Sequence, residues 1–234
     1  NTKNIGLVLD KEFNVIQSRN FLPGFNEACR IRGLEDVKII NCGENIGYIS
    51  TKQSDITKDY VLTMAGGIYD LTKDKLEYNE IFSPNNAKCE KNWALFLQNE
   101  ELKAIYKWYP LTIYDSINTG KLGKKQEIEM PYFFKDVRGS TNGCIYKDEL
   151  WFICHLVEHG EPRHYYHLFV VLDKSTLKLK KYSYLFKFDL SEKVEFCLGL
   201  VVEDERIIVS HSNWDKTSKL KVFNKKQILK ELFV

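Results

Sequence analysis

The feature that most constrains this chain is its rhythm of short apolar runs broken by polar turns. Ile5-Gly6-Leu7-Val8-Leu9 meets the turn Asp10-Lys11-Glu12. Val37-Lys38-Ile39-Ile40 gives way at Asn41-Cys42-Gly43-Glu44-Asn45 to Ile46-Gly47-Tyr48-Ile49-Ser50. Cys144-Ile145-Tyr146 turns at Lys147-Asp148-Glu149 into a run ending at His155. Residues 165–172 turn at Asp173-Lys174, and 198–202 turn at Glu203-Asp204-Glu205. Gly66-Gly67 reads as one more turn, and because no helix follows it is not a phosphate loop. Helical periodicity is confined to residues 225–232, where Ile228, Leu229 and Leu232 share a face and Asn224 supplies an N-cap, and to a short turn at 25–30.

The runs group into units of about 45–50 residues, the length of a four-stranded propeller blade. Units begin near Asp36, Lys91, Arg138 and Glu195, and residues 5–21 read as the outer half of a further blade. The fold expected is therefore all-β: a β-propeller, five-bladed with an incomplete or diverged first blade, in one domain over residues 1–234. A two-sheet sandwich is the rival, and the unit length favours the propeller. The chain opens on Asn1 with neither Met nor an apolar leader, so it is read as an excised or processed chain that fits within a longer one.

Charge and cysteine narrow the partners. Lys and Arg total 34 against 32 Asp and Glu, a net charge of +2. Such a balance gives no pull toward nucleic acid or an anionic membrane. No run approaches the ~18 apolar residues of a spanning helix. Six cysteines (Cys29, Cys42, Cys89, Cys144, Cys154, Cys197) include no C-x-x-C pair, which points to reduced thiols and a cytoplasmic setting. An incomplete ring leaves a strand edge that a second copy can cover, so an oligomer is compatible with the sequence.

In a propeller the first strand of each blade lines a central channel, and polar residues at those strand starts converge on one funnel. Here they are Glu35-Asp36, Glu90-Lys91-Asn92, Arg138-Gly139-Ser140-Thr141 and Glu195. Ionisable groups are costly there unless they pair or meet a ligand. Collected, they suit a saccharide or glycan: carboxylates for acid or base work, Lys91 and Arg138 for an anion or hydroxyls. Taken singly, each charge is better read as a solvated strand end. His155 closes an apolar strand and suits either the channel or the core. His159, His164 and His167 lack metal-ligand spacing, and no metal is expected. Trp93, Trp108, Trp151 and Trp214 read as core, with a sugar-stacking platform as the alternative.

Gly33-Leu34-Glu35-Asp36, Cys89-Glu90-Lys91-Asn92-Trp93, Arg138-Gly139-Ser140 and Glu195-Phe196-Cys197-Leu198-Gly199-Leu200, in this order, resemble glycoside hydrolase family 130. The strand beginning at Tyr166 and the acidic Asp215 resemble further parts of that family, whose superfamily is five-bladed. The resemblance implies a carbohydrate-active enzyme that cleaves or transfers a glycosyl unit with inversion. Asp36 is the implied general acid. Lys91, Arg138 and His155 are the implied phosphate contacts, and Glu35, Lys38, Asn92, Tyr166 and Asp215 are further substrate or phosphate contacts. No cofactor is implied, and inorganic phosphate is the co-substrate. A hydrolase would need a second carboxylate roughly 6.5–9.5 Å away, for which Glu195 is the candidate. The family's Pro-Arg after Glu-Asp is Val37-Lys38 here, which weakens the phosphate argument while keeping a positive charge. The alternative is a non-catalytic carbohydrate-binding or scaffolding propeller associated with a glycosyltransferase module.

Overall fold

A computed structural model describes residues 4–21, 33–57, 60–70, 75–76, 78–115, 117 and 120–233. Cys29 and the turn at 25–30 lie outside the described residues. The described residues are all-β with one α-helix and a short 3-10 helix. A two-stranded sheet comes first: β1 (Asn4–Leu9) and β2 (Val15–Phe21). Four blade sheets follow. The first holds β3 (Glu35–Cys42), β4 (Asn45–Gln53), β5 (Leu62–Asp70), β6 (Lys75–Leu76) and β7 (Asn79–Ile81). The second holds β8 (Ala94–Gln98), β9 (Glu101–Trp108), β10 (Leu111–Tyr114) and β11 (Lys125–Ile128). The third holds β12 (Arg138–Gly139), β13 (Cys144–Tyr146), β14 (Glu149–Glu158), β15 (His164–Asp173) and β16 (Leu179–Tyr182). The fourth holds β17 (Glu195–Val202), β18 (Arg206–Asn213) and β19 (Thr217–Asn224), capped by helix α1 (Lys225–Leu232). Every pairing within these sheets is antiparallel, and the sheets are arranged as propeller blades. Asn224 caps α1 by accepting from Gln227 N at 3.0 Å.

The continuous apolar runs in the third blade follow from burial on both faces. Leu150, Phe152 and Cys154 of β14 enter the seam with the second blade, beside Phe96 and Trp108. Trp151 and Ile153, pointing the other way, enter the seam with the fourth blade, beside Val209 and Ile207. β15 divides in the same manner: Leu168, Val170 and Leu172 go to one seam, Phe169 and Val171 to the other. A strand with two buried faces loses the apolar-polar alternation of a half-exposed strand. A third seam, between the first and second blades, is built on Ile49, Met64, Trp93 and Leu95. Each large side chain so buried contributes about 1.5–3 kcal/mol.

Two readings are corrected by this packing. Gly66-Gly67 is no turn: β5 runs unbroken through both. A Cβ on Gly66 would lie 3.1 Å from Ile81 Cδ1, so the glycine admits close approach of β7's side chain. Trp93, Trp108 and Trp151 are buried as expected, whereas Trp214 is exposed. Cys154 and Cys197 are buried, free thiols, and Cys42, Cys89 and Cys144 are also free. No helix among the described residues is long and apolar enough to cross a membrane.

Candidate functional site

The first strands of the four blades, β3, β8, β12 and β17, begin at Glu35, Ala94, Arg138 and Glu195, and the blades repeat one orientation, so these starts share one end. Asp36, the second residue of β3, lies at that end. The ladder between β3 and β4 shifts register between Glu35 and Lys38, a bulge that re-aims the intervening side chains. Asp36 there adopts φ 53°, in the left-handed region that Asp tolerates better than most residues. Asn92, just before β8, does the same at φ 65°. Left-handed, non-glycine backbone at two neighbouring strand starts is the kind of local strain that clusters at functional sites.

Burial pushes the Asp36 carboxyl above its usual range. Lys91 and Lys38 pull it back, while Glu35 and Asp215 push it further up. These five residues therefore share one electrostatic neighbourhood. Lys91 Nζ lies 3.7 Å from Glu35 Oε2, a half-exposed pair worth at most about 1 kcal/mol. Asp215 comes from the far end of the sequence. Trp214 and Asp215, at φ 56° and 52°, make the tight turn between β18 and β19 and carry the carboxylate to this end.

Lys38 differs from its expected role as a phosphate contact. It is 3% exposed, and its ammonium donates to the Trp93 carbonyl across the seam. Burial lowers its pKa to about 8, against the opposing pull of Asp36. His155 is 1% exposed and pairs with Arg138 across the β12–β14 ladder. Its Nδ1 lies 2.8 Å from Ser140 Oγ, and its ring meets Phe196 edge-on at 5.2 Å. Burial, then Arg138, then Lys38 push its pKa down to about 3, so it is neutral at physiological pH. Arg138 itself is exposed, with its guanidinium free to meet an anion. Gly139 beside it is required by close approach: a Cβ there would lie 2.5 Å from the Asn92 carbonyl oxygen. Gly139 thus packs against the Asn92 backbone, and Arg138 pairs with His155 beside it.

Two predicted residues sit apart from this group. Glu195 is 0% exposed; its Oε2 accepts from Phe188 N at 3.0 Å, and burial raises its pKa. Tyr166 donates its hydroxyl to the exposed Glu158 carboxylate at 3.1 Å. Its neighbour Tyr165 is the residue that faces His155, with ring centroids 5.9 Å apart. Beside Glu195 lies a buried polar set the sequence reading did not assemble. The Phe188 ring lies 4.5 Å from His167 and 4.6 Å from His211. Both His167 ring nitrogens, His211 Nε2 and Glu195 Oε1 are buried without a hydrogen-bond partner. The signal for His211 was present: it follows Ile207 and Val209 at period two on the buried face of β18. Among the described residues no group of three or more His, Cys, Asp or Glu is placed to hold a metal ion.

No family model and no curated protein matches the sequence. Solved structures do resemble the fold. A β-1,2-mannobiose phosphorylase from Listeria innocua, in complex with β-1,2-mannobiose, superposes with TM-score 0.67 at 19% identity over 94% of this chain. This chain spans 65% of the length of that phosphorylase. A mannose phosphorylase from Leishmania mexicana, in complex with phosphate, gives TM-score 0.59 at 15% identity, over 86% of this chain and 70% of its own. A GDP-Man-dependent mannosyltransferase from the same organism gives 0.57 at 12% identity, over 82% and 68%. At such identities the likeness is one of fold: this chain is a β-propeller.

Proposed function

We propose that this chain carries a carbohydrate-active site in which Asp36 is the general acid of an inverting, phosphorylase-like glycosyl transfer. The observation that carries the reading is the half-buried Asp36 with a raised pKa, set among Lys91, Lys38, Glu35 and Asp215. A general acid must hold its proton near the working pH, and burial moves Asp36 in that direction. The protonated Asp36 carboxyl gives its proton to the glycosidic oxygen as the bond to the anomeric carbon breaks. A phosphate oxygen attacks that carbon from the opposite face and inverts it. The products are a sugar phosphate and the freed saccharide, and Asp36, left as a carboxylate, regains a proton from solvent.

Phosphate is already an anionic nucleophile, so one acid plus a cationic cradle suffices. Lys91 and the exposed Arg138 form that cradle, with charge-assisted hydrogen bonds to phosphate oxygens. Lys38, turned inward onto the Trp93 carbonyl, acts from beneath as a fixed charge. The burial of Glu195 disfavours it as a base that activates water, because such a base must touch the water it deprotonates. A hydrolytic variant of the mechanism would have to use Asp215 instead.

The test incubates β-mannosides of two to four residues with the protein, with and without inorganic phosphate. The expected outcome is sugar phosphate released only when phosphate is present, and a fall of about 10²–10⁴ in Asp36→Asn with saccharide binding kept. Full turnover by Asp36→Asn would sink the assignment. Phosphate-independent release of reducing sugar would mean hydrolysis. Binding without turnover in the unaltered chain would mean a carbohydrate-binding propeller.

A further inference from the structure

We propose that the exposed aromatic cluster around Tyr132 and Phe133 is a second sugar-binding surface, holding the outer residues of an oligosaccharide whose reacting end lies at Asp36. The proposal rests on the saccharide reading of the Asp36 site and extends it outward along the same face.

The cluster is built by a short 3-10 helix, Tyr132–Asp136. Phe134 in its middle is fully buried in the seam with Trp108 and Phe152, which anchors the turn. Its neighbours point outward: Tyr132 is 68% exposed and Phe133 is 42% exposed. Tyr109, at the β9–β10 turn, meets Tyr132 edge-on with centroids 5.6 Å apart. Tyr182, at the end of β16, stacks on Phe133 at 5.8 Å and 18°. Lys135 Nζ lies over the Tyr132 ring at 5.3 Å and donates to its hydroxyl at 3.2 Å. Single exposed apolar side chains need no explanation, but a contiguous group of rings pinned by a buried anchor does.

Strand direction places Tyr109 and the 3-10 helix at the Asp36 end. β8 starts there, so β9, running antiparallel to it, ends there at Trp108, and Tyr109 follows. β10 runs away and β11 returns, so the 3-10 helix after β11 also lies at that end. Val137 alone separates the helix from Arg138. In the third blade β14 returns, β15 leaves and β16 comes back as far as Tyr182, which pairs with Val170 about midway along the blade and supports the cluster from below by stacking on Phe133. The aromatic surface therefore continues outward from Arg138 over the seam of the second and third blades.

The chemistry selects a sugar. Tyrosine faces pack on the C–H side of a pyranose while hydroxyl and ammonium groups hydrogen-bond its rim. Tyr132, Tyr109, Tyr182 and Lys135 supply both parts. Exposed aliphatic side chains are concentrated on β1 and β2 (Ile5, Leu7, Val15, Ile16) and on the fourth blade (Val201, Val222), with Leu185 just beyond β16.

The experiment is calorimetric titration with manno-, gluco-, galacto- and xylo-oligosaccharides of two and six residues. It compares the unaltered chain with Tyr132→Ala, Tyr132→Trp and the double variant Tyr132→Ala/Phe133→Ser. The unaltered chain should bind one hexasaccharide more tightly than its disaccharide. Tyr132→Ala should weaken the hexasaccharide about tenfold, the loss of one stacked ring, and leave the disaccharide unchanged. Tyr132→Trp should restore the long ligand, and the double variant should abolish the length dependence. Unchanged melting of Tyr132→Ala excludes a folding effect. Equal affinity for both lengths in the unaltered chain, or a hexasaccharide indifferent to Tyr132→Ala, overturns this surface and leaves the Asp36 reading standing. Silence toward every saccharide overturns both. A change in sedimentation from dimer to monomer in Tyr132→Ala, without change in sugar binding, would make the patch a contact between copies and overturn the proposal.

Discussion

His155 shows how burial sets chemistry at the scale of one residue. Its imidazole is buried against Phe196 and beside two cationic side chains, Arg138 and Lys38, and only the Ser140 hydroxyl compensates. Its folded pKa of about 3 lies below the ordinary 6.5. Between those values the unfolded chain binds the extra proton and the folded chain does not, so stability rises with pH. The contribution is complete above 6.5 and is lost as pH falls toward 3. The shift corresponds to about 5 kcal/mol. His167, pushed well below its usual range by burial, acts in the same sense. Urea midpoints should therefore drop steadily from pH 7 to pH 5. The His155 ring nitrogens should still report a neutral imidazole by NMR at pH 5. A fully protonated ring at that pH would contradict the buried placement.

At the scale of elements, the third blade's first strand is the most constrained segment. It breaks into β12 and β13 because the Ser140 and Thr141 amides both donate to the Ile153 carbonyl, at 3.2 and 3.1 Å. Thr141 Oγ1 in turn accepts from Ile153 N at 2.9 Å. The break lets Gly139, next to Arg138, lie against the Asn92 backbone of the second blade. Gly139→Ala would force a Cβ against a backbone oxygen that no rotamer change can move. Its cost should be about 1–3 kcal/mol, with ligand affinity falling because Arg138 and Asn92 part. Gly160→Ala is the control: the nearest atom to its Cβ is 3.6 Å away, and its melting point should hardly change. Thermal melts of the two variants, side by side, check the contrast. The Gly139 constraint was not legible in the sequence, since nothing local marks which glycine faces another blade's backbone.

At the scale of the whole molecule, stability resides in the seams between blades. Phe152 is fully buried, with Trp108 edge-on at 5.2 Å and Phe96 at 6.4 Å from the neighbouring blade. Phe152→Ala should cost about 3–5 kcal/mol, a cavity in a rigid seam. Val222→Ala, on an exposed face of the fourth blade, should stay within about 0.5 kcal/mol. Denaturant unfolding of both variants measures the difference. The same seams hold the site together. Lys38 reaches the Trp93 carbonyl of the next blade, and Asp215 reaches Asp36 from the last blade to the first.

The sequence by itself determined the all-β class, the blade-length units, most hairpins and the capped terminal helix. Those features depend on local alternation, turn residues and capping, which a chain displays in order. Its strand starts put Glu35, Asp36, Lys91 and Arg138 among the polar residues of one end, and the family resemblance added Asp215. Only the tertiary structure decided which of them are free to act. Lys38 and Asp36 are two residues apart, yet one ammonium is sealed against a carbonyl and one carboxyl stays half open. Glu195 occupies the same strand-start position as Glu35, yet it is closed under Phe188. Burial and the charges that surround a group come from residues distant in sequence, so the acidity of each group is a property of the assembled seams.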